Sequence, residues 1–356
     1  MIAVFEMPRK GVRFGGALPF SSIRVAELLD MARVDEEAGF NSVWSGDGLV
    51  YFPPSTIPEA WTILTAAAVT TKKVLLGTCV SDPHRYHPAV LAQRLATIDQ
   101  LSGGRVILGL GAGMAMNLEP FGIKCNKPVS RLVEAVKIMR RLWTGEKFSY
   151  DGEFWKVKDA FLQIKPIQSK VPIYFAANSS RMMKLTGEMA DGWLPMLLTP
   201  ELYNKRWRLI EEAARKAGRA PDEIDTALWI TTSIADKAEA AYEQLEWVKP
   251  WIASMGPELL KEAGYDAEFP KEFSPMHYVN LLPTIESKKL FDRCGEFVPR
   301  EAAIEFSIAG TTQDCINKVD ELVKAGVKHF ILDNAGPDQR KVRETYSKEI
   351  IPRFAE

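Results

Sequence analysis

The 356-residue sequence lacks the features that mark several broad classes of protein. No apolar run approaches the length of a membrane span, and no signal peptide is predicted at the N-terminus. The 45 Lys and Arg residues balance 46 Asp and Glu residues, so the net charge of −1 predicts no attraction to nucleic acid or to a membrane surface. Only four cysteines are present, far apart and without a Cys-x-x-Cys pair: Cys79, Cys125, Cys294 and Cys315. Reduced thiols in a cytoplasmic protein are therefore expected.

What is present is an alternation of short aliphatic or β-branched runs with longer helical patterns. Eight runs predict strands at 2–6, 42–44, 74–79, 106–111, 172–177, 192–196, 226–234 and 328–333. Such alternation favours a parallel sheet, and eight is the strand number of the TIM barrel. The predicted fold class is α/β, a (β/α)8 TIM barrel, as a single domain over residues 1–356.

Two segments interrupt this alternation. Residues 146–165, after the fourth helix, alternate in period two around Asp151 and Gly152, which predicts a β-hairpin. Residues 235–302 are long, partly helical and rich in Trp, Met, Pro and Tyr. They predict an insertion between the seventh and eighth strands that acts as a lid or a substrate-side excursion.

Several residues predict where helices begin and end. Ser21 and Ser22 precede the first helical pattern, and Gly39 is expected just beyond its end. Pro58 and Pro88 each stand at the start of a later helical pattern, a position that suits proline.

The stretch 76–117 predicts a βαβ unit whose strand ends open into polar or glycine-rich loops. The Gly109–Gly113 loop suits close approach of a ligand, although a tight turn would use glycine equally well. Cys79–Pro83 is most simply an ordinary loop. His84 and His87 lack a third ligand nearby, so helix-start packing or capping is favoured over metal binding and no metal site is predicted.

Three other positions are candidates for binding or catalysis. Residues 176–181 join small and hydroxyl side chains to an arginine at a helix start, which predicts either an anion site or an ordinary serine cap. Glu6 ends the predicted first strand and Asp47 follows the second, where acids suit a barrel active site. An apolar setting would raise the pKa of Glu6 and suit it to proton transfer, whereas Asp47 could also be a surface residue.

On these residues the chain resembles the bacterial luciferase-like superfamily, and within it the enzymes that use the deazaflavin coenzyme F420. The resemblance covers nearly the whole chain and is best in GFNSVWSGDG, HPAV…LATIDQLSGGR…LGLGAG, VPIYFAANSS and FSIAGTTQDCINKVDELVKAGVKHFI. The last segment, GIKCNKP and Glu6 are similar to the methylenetetrahydromethanopterin reductases.

The resemblance implies a (β/α)8 barrel with an insertion, assembled as a homodimer or higher homo-oligomer. It implies a non-prolyl cis peptide at Cys79-Val80 behind the deazaflavin ring, and an Asp47 that contacts the deazaflavin head. It also implies cofactor-lining positions at Asp82, Ala112, Gly113 and Asn117. The cleft for the phosphate-bearing tail would be formed by Ala177, Asn178, Ser179, Arg181 and Met182.

The chain departs from the F420-dependent glucose-6-phosphate dehydrogenases at their catalytic positions. Gly48 replaces their histidine, Met114 replaces their acid, and their tryptophan falls near Phe52. Their phosphate-binding lysine is missing from the segment MLLTPELY. These departures argue against sugar-phosphate oxidation by that machinery and leave Glu6 as the expected proton-transfer group.

The predicted function is hydride transfer between coenzyme F420 and a small organic substrate. Reduction of methylenetetrahydromethanopterin, a step of one-carbon metabolism and methanogenesis, is the preferred reaction, with Glu6 and Asp47 as catalytic residues. The alternatives are an FMN-dependent luciferase-like monooxygenase, an F420-dependent alcohol or sugar dehydrogenase, and a non-catalytic barrel.

Overall fold

A computed structural model of the chain describes residues 11–19, 24–52, 55–273 and 277–355. Nine of its strands form one sheet and two form a separate hairpin. The strands are β1 Arg13–Ala17, β2 Ser42–Ser45, β3 Leu75–Thr78, β4 Val106–Leu110, β5 Phe148–Asp151, β6 Lys156–Ala160, β7 Ile173–Phe175, β8 Gly192–Trp193, β9 Asp225–Ile234, β10 Ile308–Gly310 and β11 His329–Asn334.

Eight of these strands close into a parallel barrel. The order around the barrel is β1, β2, β3, β4, β7, β8, β9 and β11, and β11 pairs back with β1. Every pairing within this ring is parallel. The predicted (β/α)8 barrel is therefore confirmed, and all strand carboxyl ends meet at one end of the barrel.

The first barrel strand differs from the prediction. The predicted strand at 2–6 lies outside the described residues, and Arg13–Ala17 occupies the place between β2 and β11. A β-carbon added at Gly15 would lie 2.0 Å from the Ser42 hydroxyl oxygen, and one added at Gly16 would lie 2.2 Å from an Asp35 carboxylate oxygen. Close packing thus requires glycine at these two positions. Because glycine has a low strand propensity, the sequence pattern did not predict this strand.

Helices surround the sheet. They are α1 Val25–Glu37, α2 Ala60–Thr70, α3 Pro88–Ser102, α4 Pro128–Thr144, α5 Ser180–Met189, α6 Pro200–Lys216, α7 Ala238–Tyr242, α8 Val248–Ser254, α9 Pro257–Glu262, α10 Ile285–Cys294, α11 Arg300–Glu305, α12 Thr312–Lys324, α13 Gln339–Thr345 and α14 Ile351–Phe354. Within the described part of the chain, no helix combines the length and apolarity needed to cross a bilayer.

The predicted helix boundaries agree only in part. Pro88 opens α3, and Gly39 follows α1 with a positive φ of 87°, as predicted. By contrast, α2 begins two residues after Pro58, because the Glu59 carboxylate accepts a hydrogen bond from the Thr62 backbone N–H at 2.6 Å. Ser21 and Ser22 lie outside the described residues, and Arg24 precedes α1 without capping it through its side chain.

The two interruptions carry secondary structure of their own. The antiparallel hairpin β5–β6 follows α4, within the segment predicted for it. Between the barrel strands β9 and β11, the chain forms the short helices α7 to α11, the strand β10 and the helix α12. We call residues 235–302 the inserted segment.

Side chains along each strand point alternately into the barrel and outwards towards the helices, so they form two separate apolar clusters. The interior cluster consists of Trp44, Leu75, Ile107, Tyr174, Leu194, Ala227 and Ile331. The flanking residues Phe330 and Leu332 belong to the larger cluster that includes helix side chains. On β11, odd-numbered residues therefore point into the barrel.

A buried polar network closes the barrel at the amino ends of its strands. Arg13 forms an ion pair with Asp225, which also accepts a hydrogen bond from the Tyr174 hydroxyl. The Ser42 hydroxyl lies 2.7 Å from His329 Nε2 and accepts the Trp44 indole N–H at 2.8 Å. We call these six residues the basal network.

Candidate active site

The peptide bond between Cys79 and Val80 is cis, as the resemblance implied. It lies at the carboxyl end of β3, where four partly buried residues pack on the interior cluster: Ala17, Cys79, Val80 and Trp229. We call these four residues the floor, because they form the upper layer of the interior at the end where ligands bind in this fold.

The glycines beside the floor have two different roles. A β-carbon at Gly109 would lie 1.8 Å from the Thr78 carbonyl oxygen, and one at Gly111 would lie 2.8 Å from a Val80 methyl group. These two glycines therefore let β4 pack against the end of β3. Gly113 has a φ of 98°, which favours glycine, and is partly exposed. Of these three glycines, Gly113 has the exposure that suits ligand contact.

A buried arginine joins the two acids predicted near the cofactor. Arg85 donates from Nη1 to the Asp47 carboxylate at 2.8 Å and from Nε to the Asp82 carboxylate at 2.5 Å. The side chains of these three residues are 2–6% exposed, so both carboxylates are neutralised away from water. Both of these carboxylates raise the pKa of Arg85 and outweigh the opposing effect of burial.

Further hydrogen bonds fix Asp47. Its carboxylate also accepts from the Ser81 hydroxyl and from the Tyr86 hydroxyl, the latter at 3.1 Å. Burial and the nearby Asp47 carboxylate raise the pKa of Tyr86, so its hydroxyl remains a donor. Arg85 was not predicted from the sequence, since its partners include a residue 38 positions away.

The loops after β2 and β4 are tied together by Asn117. Its side-chain oxygen accepts from the backbone N–H groups of Leu49 and Val50 at 2.6 and 3.0 Å. A β-carbon at Gly48 would lie 3.0 Å from the same oxygen. Asn117 thus shapes the Asp47 loop, in addition to the cofactor-lining role implied by the resemblance.

The two histidines after the cis peptide serve local structure. His87 Nδ1 accepts from the Ala89 backbone N–H at 3.2 Å and caps α3, as predicted. His84 Nε2 lies 3.1 Å from the Ala112 carbonyl oxygen, which links the loops after β3 and β4. Burial lowers the pKa of His84.

At the start of α5, Ser179 makes the ordinary helix cap that was one of two predicted roles. Its hydroxyl accepts from the Met182 backbone N–H at 3.4 Å. Arg181 is exposed and donates to the Ser130 hydroxyl at 2.9 Å. The Ala177 and Met182 side chains are buried in the core cluster shared with the helices, and their contact with the cofactor tail stays a prediction.

Asn178 differs from its neighbours because only one of the two polar groups of its side chain is hydrogen-bonded. Its amide is hydrogen-bonded to the Tyr278 hydroxyl of the inserted segment, and burial raises the pKa of that hydroxyl. Its side-chain oxygen is buried and has no partner among the described residues. A buried acceptor in this state suits a ligand hydroxyl group.

A further carboxylate, which was not among the predicted site residues, also lies at this end of the barrel. Asp333 is near the end of β11, and it raises the pKa of both the Tyr51 hydroxyl and the Cys79 thiol, after the larger effect of burial. The pKa of Cys79 rises to about 12, so this thiol is neutral at physiological pH. Burial also raises the pKa of Asp333 itself, to about 6.

Aromatic contacts attach the inserted segment to the loop after β2. Tyr51 stacks on Trp251 with ring centroids 5.7 Å apart and an interplanar angle of 15°. Phe52 contacts Phe291 at 5.3 Å, and Trp251 contacts Phe291 at 4.9 Å. These contacts place an aromatic wall beside the loop after β2, on the side where Tyr51 lies near Asp333.

Glu6, the predicted proton-transfer residue, lies outside the described residues. Its role remains a prediction from the sequence.

The family model described as luciferase-like monooxygenase matches residues 6–329. A 5,10-methylenetetrahydromethanopterin reductase of Archaeoglobus fulgidus is 31% identical over 330 residues, covering 92% of this chain and 96% of the relative. An F420-dependent glucose-6-phosphate dehydrogenase of Microbacterium testaceum is 30% identical over 351 residues, covering 96% of this chain and 97% of the relative.

A solved structure is similar over the same extent. It is an F420-dependent secondary alcohol dehydrogenase in complex with an F420-acetone adduct, with a TM-score of 0.83 at 28% identity. The match covers 98% of this chain and 100% of that chain.

Proposed function

Because the chain belongs to the luciferase-like monooxygenase family, we propose that it is an oxidoreductase that transfers a hydride between coenzyme F420 and a small organic substrate. The observation that carries this proposal is the apolar floor beside the buried Asp47–Arg85–Asp82 network. The F420-dependent relatives support the choice of cofactor.

The residues present fit a deazaflavin. Ala17, Val80 and the Trp229 indole offer an apolar surface to an aromatic ring, and the Asn178 side-chain oxygen offers an acceptor to a hydroxyl of its tail. The groups that would hold the ring are Asp47, Cys79, Val80, Asp82, Ala112, Gly113 and Asn117; those that would hold the tail are Asn178, Ser179 and Arg181. When bound, coenzyme F420 supplies hydride chemistry at C5 of its ring.

Reduction of methylenetetrahydromethanopterin is the preferred reaction. The reductase of Archaeoglobus fulgidus, 31% identical to this chain, supports it. Gly48 and Met114 argue against glucose-6-phosphate despite the similar identity to the dehydrogenase. Oxidation of a small alcohol is the second candidate, because the aromatic wall of Tyr51 and Trp251 suits a compact apolar substrate.

The two predicted catalytic acids, Glu6 and Asp47, suit different roles. Glu6 remains the predicted residue for proton delivery or for stabilising a cationic substrate. The Asp47 carboxylate accepts three side-chain hydrogen bonds, from Ser81, Arg85 and Tyr86, and therefore suits holding the cofactor head better than moving a proton. The homodimer implied by the resemblance is likewise a prediction.

Titration with oxidised coenzyme F420, followed by its visible absorbance and by thermal stability, tests the proposed cofactor. We expect saturable binding, about tenfold weaker in Asn178→Ala and unchanged in the control Asn317→Ala, whose exposed side chain bonds Gln313. If the coenzyme causes no absorbance shift and no thermal stabilisation, the proposal is refuted. Binding of FMN with oxygen consumption would instead favour the monooxygenase alternative.

The substrate is tested by a turnover screen with reduced and oxidised coenzyme. Methylenetetrahydromethanopterin, secondary alcohols and glucose-6-phosphate form its three arms. We expect turnover in the pterin arm and none with the sugar phosphate. Turnover confined to the alcohol arm would replace the preferred substrate and leave the cofactor assignment intact.

A further inference from the structure

The position of Asp333 follows from the alternation of side chains along β11. Ile331 belongs to the interior cluster, whereas Phe330 and Leu332 pack on the outside of the sheet. Asp333 is the next inward-pointing residue towards the carboxyl end of the strand, and it is half-buried. Its carboxylate therefore faces the mouth of the barrel, one layer beyond Ile331.

Among the described residues, the neighbours of Asp333 offer no compensating charge. It is in register with Thr231 on β9, and the adjacent strand β1 ends at Ala17. The titratable described side chains that it affects are the Tyr51 hydroxyl and the Cys79 thiol, both neutral at physiological pH. Among the described residues, no hydrogen bond or ion pair involves its carboxylate, in contrast to Asp47 and Asp82.

A carboxyl group in this setting suits proton transfer. Burial disfavours the charged form and raises the pKa of Asp333 to about 6, close to the pH at which an acid–base residue works best. Cys79 belongs to the floor, so the carboxyl lies beside the surface proposed to carry the cofactor ring. Tyr51, stacked on Trp251, covers the same side.

We propose that Asp333 exchanges a proton with the substrate heteroatom on the floor of the mouth. This inference rests on the proposed function. In reduction, the substrate carbon gains a hydride with its electron pair from the reduced coenzyme of the proposed function, and the heteroatom takes the proton of the Asp333 carboxylic acid. The acid O–H bond breaks, a bond between hydrogen and the heteroatom forms, and water reprotonates the carboxylate. In oxidation, the carboxylate accepts the proton of the hydroxyl or amine group, while the substrate carbon loses a hydride with its electron pair to the oxidised coenzyme of the proposed function.

The test compares wild type with Asp333→Asn, Glu6→Gln and the control Asp236→Asn. Asp236 is an exposed acid just after β9 that pairs with Lys341, so it matches the loss of charge at the same end of the barrel. We expect Asp333→Asn to bind coenzyme F420 within about threefold of wild type and to turn over about 100-fold more slowly or worse.

The pH profile identifies the group. In wild type, reduction should slow as pH rises through about 6, because the acid form donates the proton. This decline in rate, the alkaline limb of the pH profile, should persist in Glu6→Gln and in Asp236→Asn. It should vanish in Asp333→Asn and return in part in Asp333→Glu. A limb that vanishes in Glu6→Gln but persists in Asp333→Asn would overturn the proposal, as would turnover of Asp333→Asn within threefold of wild type.

A readout without coenzyme separates this proposal from the proposed function. The melting temperature of Asp333→Asn should exceed that of wild type at pH 8 and match it at pH 4, since the substitution removes an unpaired charge. Equal melting temperatures at both pH values would overturn the assignment of the proton to Asp333. Failure of wild type to bind coenzyme F420 would instead refute the proposed function, whatever the stability data show.

Discussion

The two ends of the barrel handle buried charge in opposite ways. In the basal network, Asp225 meets Arg13 and Tyr174, and Ser42 joins His329 to Trp44. At the mouth, one acid pair is neutralised by Arg85, while Asp333, the Asn178 side-chain oxygen and the Trp229 indole N–H lack described partners. In the basal network the charges of Arg13 and Asp225 are paired, although Arg13 Nε and His329 Nδ1 have no hydrogen-bond partner among the described residues. Paired charges stabilise the fold, and the groups left open at the mouth are available to ligands and to proton transfer.

The same contrast extends to pH. Burial and the nearby Arg13 lower the pKa of His329 to about 4, so the basal network favours neutral histidine. Burial raises the pKa of Asp333 to about 6, so the mouth favours the neutral acid. Protonation therefore weakens the basal network as pH falls, whereas deprotonation weakens the mouth as pH rises.

The largest effect is expected when the arginine of the mouth is removed. Arg85→Met leaves the Asp47 and Asp82 carboxylates buried without a counter-charge, and should cost about 5 kcal/mol of unfolding free energy. Urea unfolding measures this loss, with Arg33→Met, an exposed arginine, as a control expected to change stability by less than about 0.5 kcal/mol. Affinity for coenzyme F420 should also fall at least tenfold. A variant as stable as the control would show that the network is not structural.

Removing the basal arginine should affect stability alone. Arg13→Met leaves Asp225 buried beside Tyr174, and we expect a loss of about 3–4 kcal/mol in the same urea experiment. At a temperature where the variant is folded, its affinity for coenzyme F420 should stay within about twofold of wild type. A tenfold loss of affinity for coenzyme F420 in Arg13→Met would show that the basal network also contributes to binding, which contradicts the proposed difference between the two ends.

The fold was largely predictable from sequence, because seven of the eight barrel strands overlap the short runs that were predicted as strands. Arg13–Ala17 was not, since its two glycines are selected by packing against Ser42 and Asp35. The cis peptide at Cys79-Val80 followed from resemblance alone, because neither residue type indicates it.

Site residues were predictable only where the residue type and its place at a strand end together indicated a role. Arg85 escaped prediction because its function depends on Asp47, which is distant in sequence. Asp333 had a signal: it closes the predicted strand 328–333, and an acid at such an end is the criterion that selected Asp47. Its lack of a partner, however, is a property of the folded mouth.

A pH titration of stability tests the basal half of the comparison. His329 has an unfolded pKa near 6.5 and a folded pKa of about 4, so stability is complete above pH 6.5 and should fall by about 3 kcal/mol as pH drops to 4. His329→Gln should remove this component of the pH slope, although it also weakens the bond to Ser42. An unchanged slope in the variant would show that another group controls acid sensitivity.

The smallest stability change is expected at the floor. Trp229 points into the barrel mouth, and its buried indole N–H has no partner among the described residues. Trp229→Phe removes this donor together with some packing, and these effects offset each other to within about 1 kcal/mol. If a bound cofactor or substrate accepts the N–H, affinity should nevertheless fall about threefold to tenfold. The control is Trp247→Phe, whose side chain is 40% exposed. Equal affinity in the two variants would mean that the Trp229 N–H does not serve a ligand, and that openness at the mouth is confined to Asp333 and Asn178.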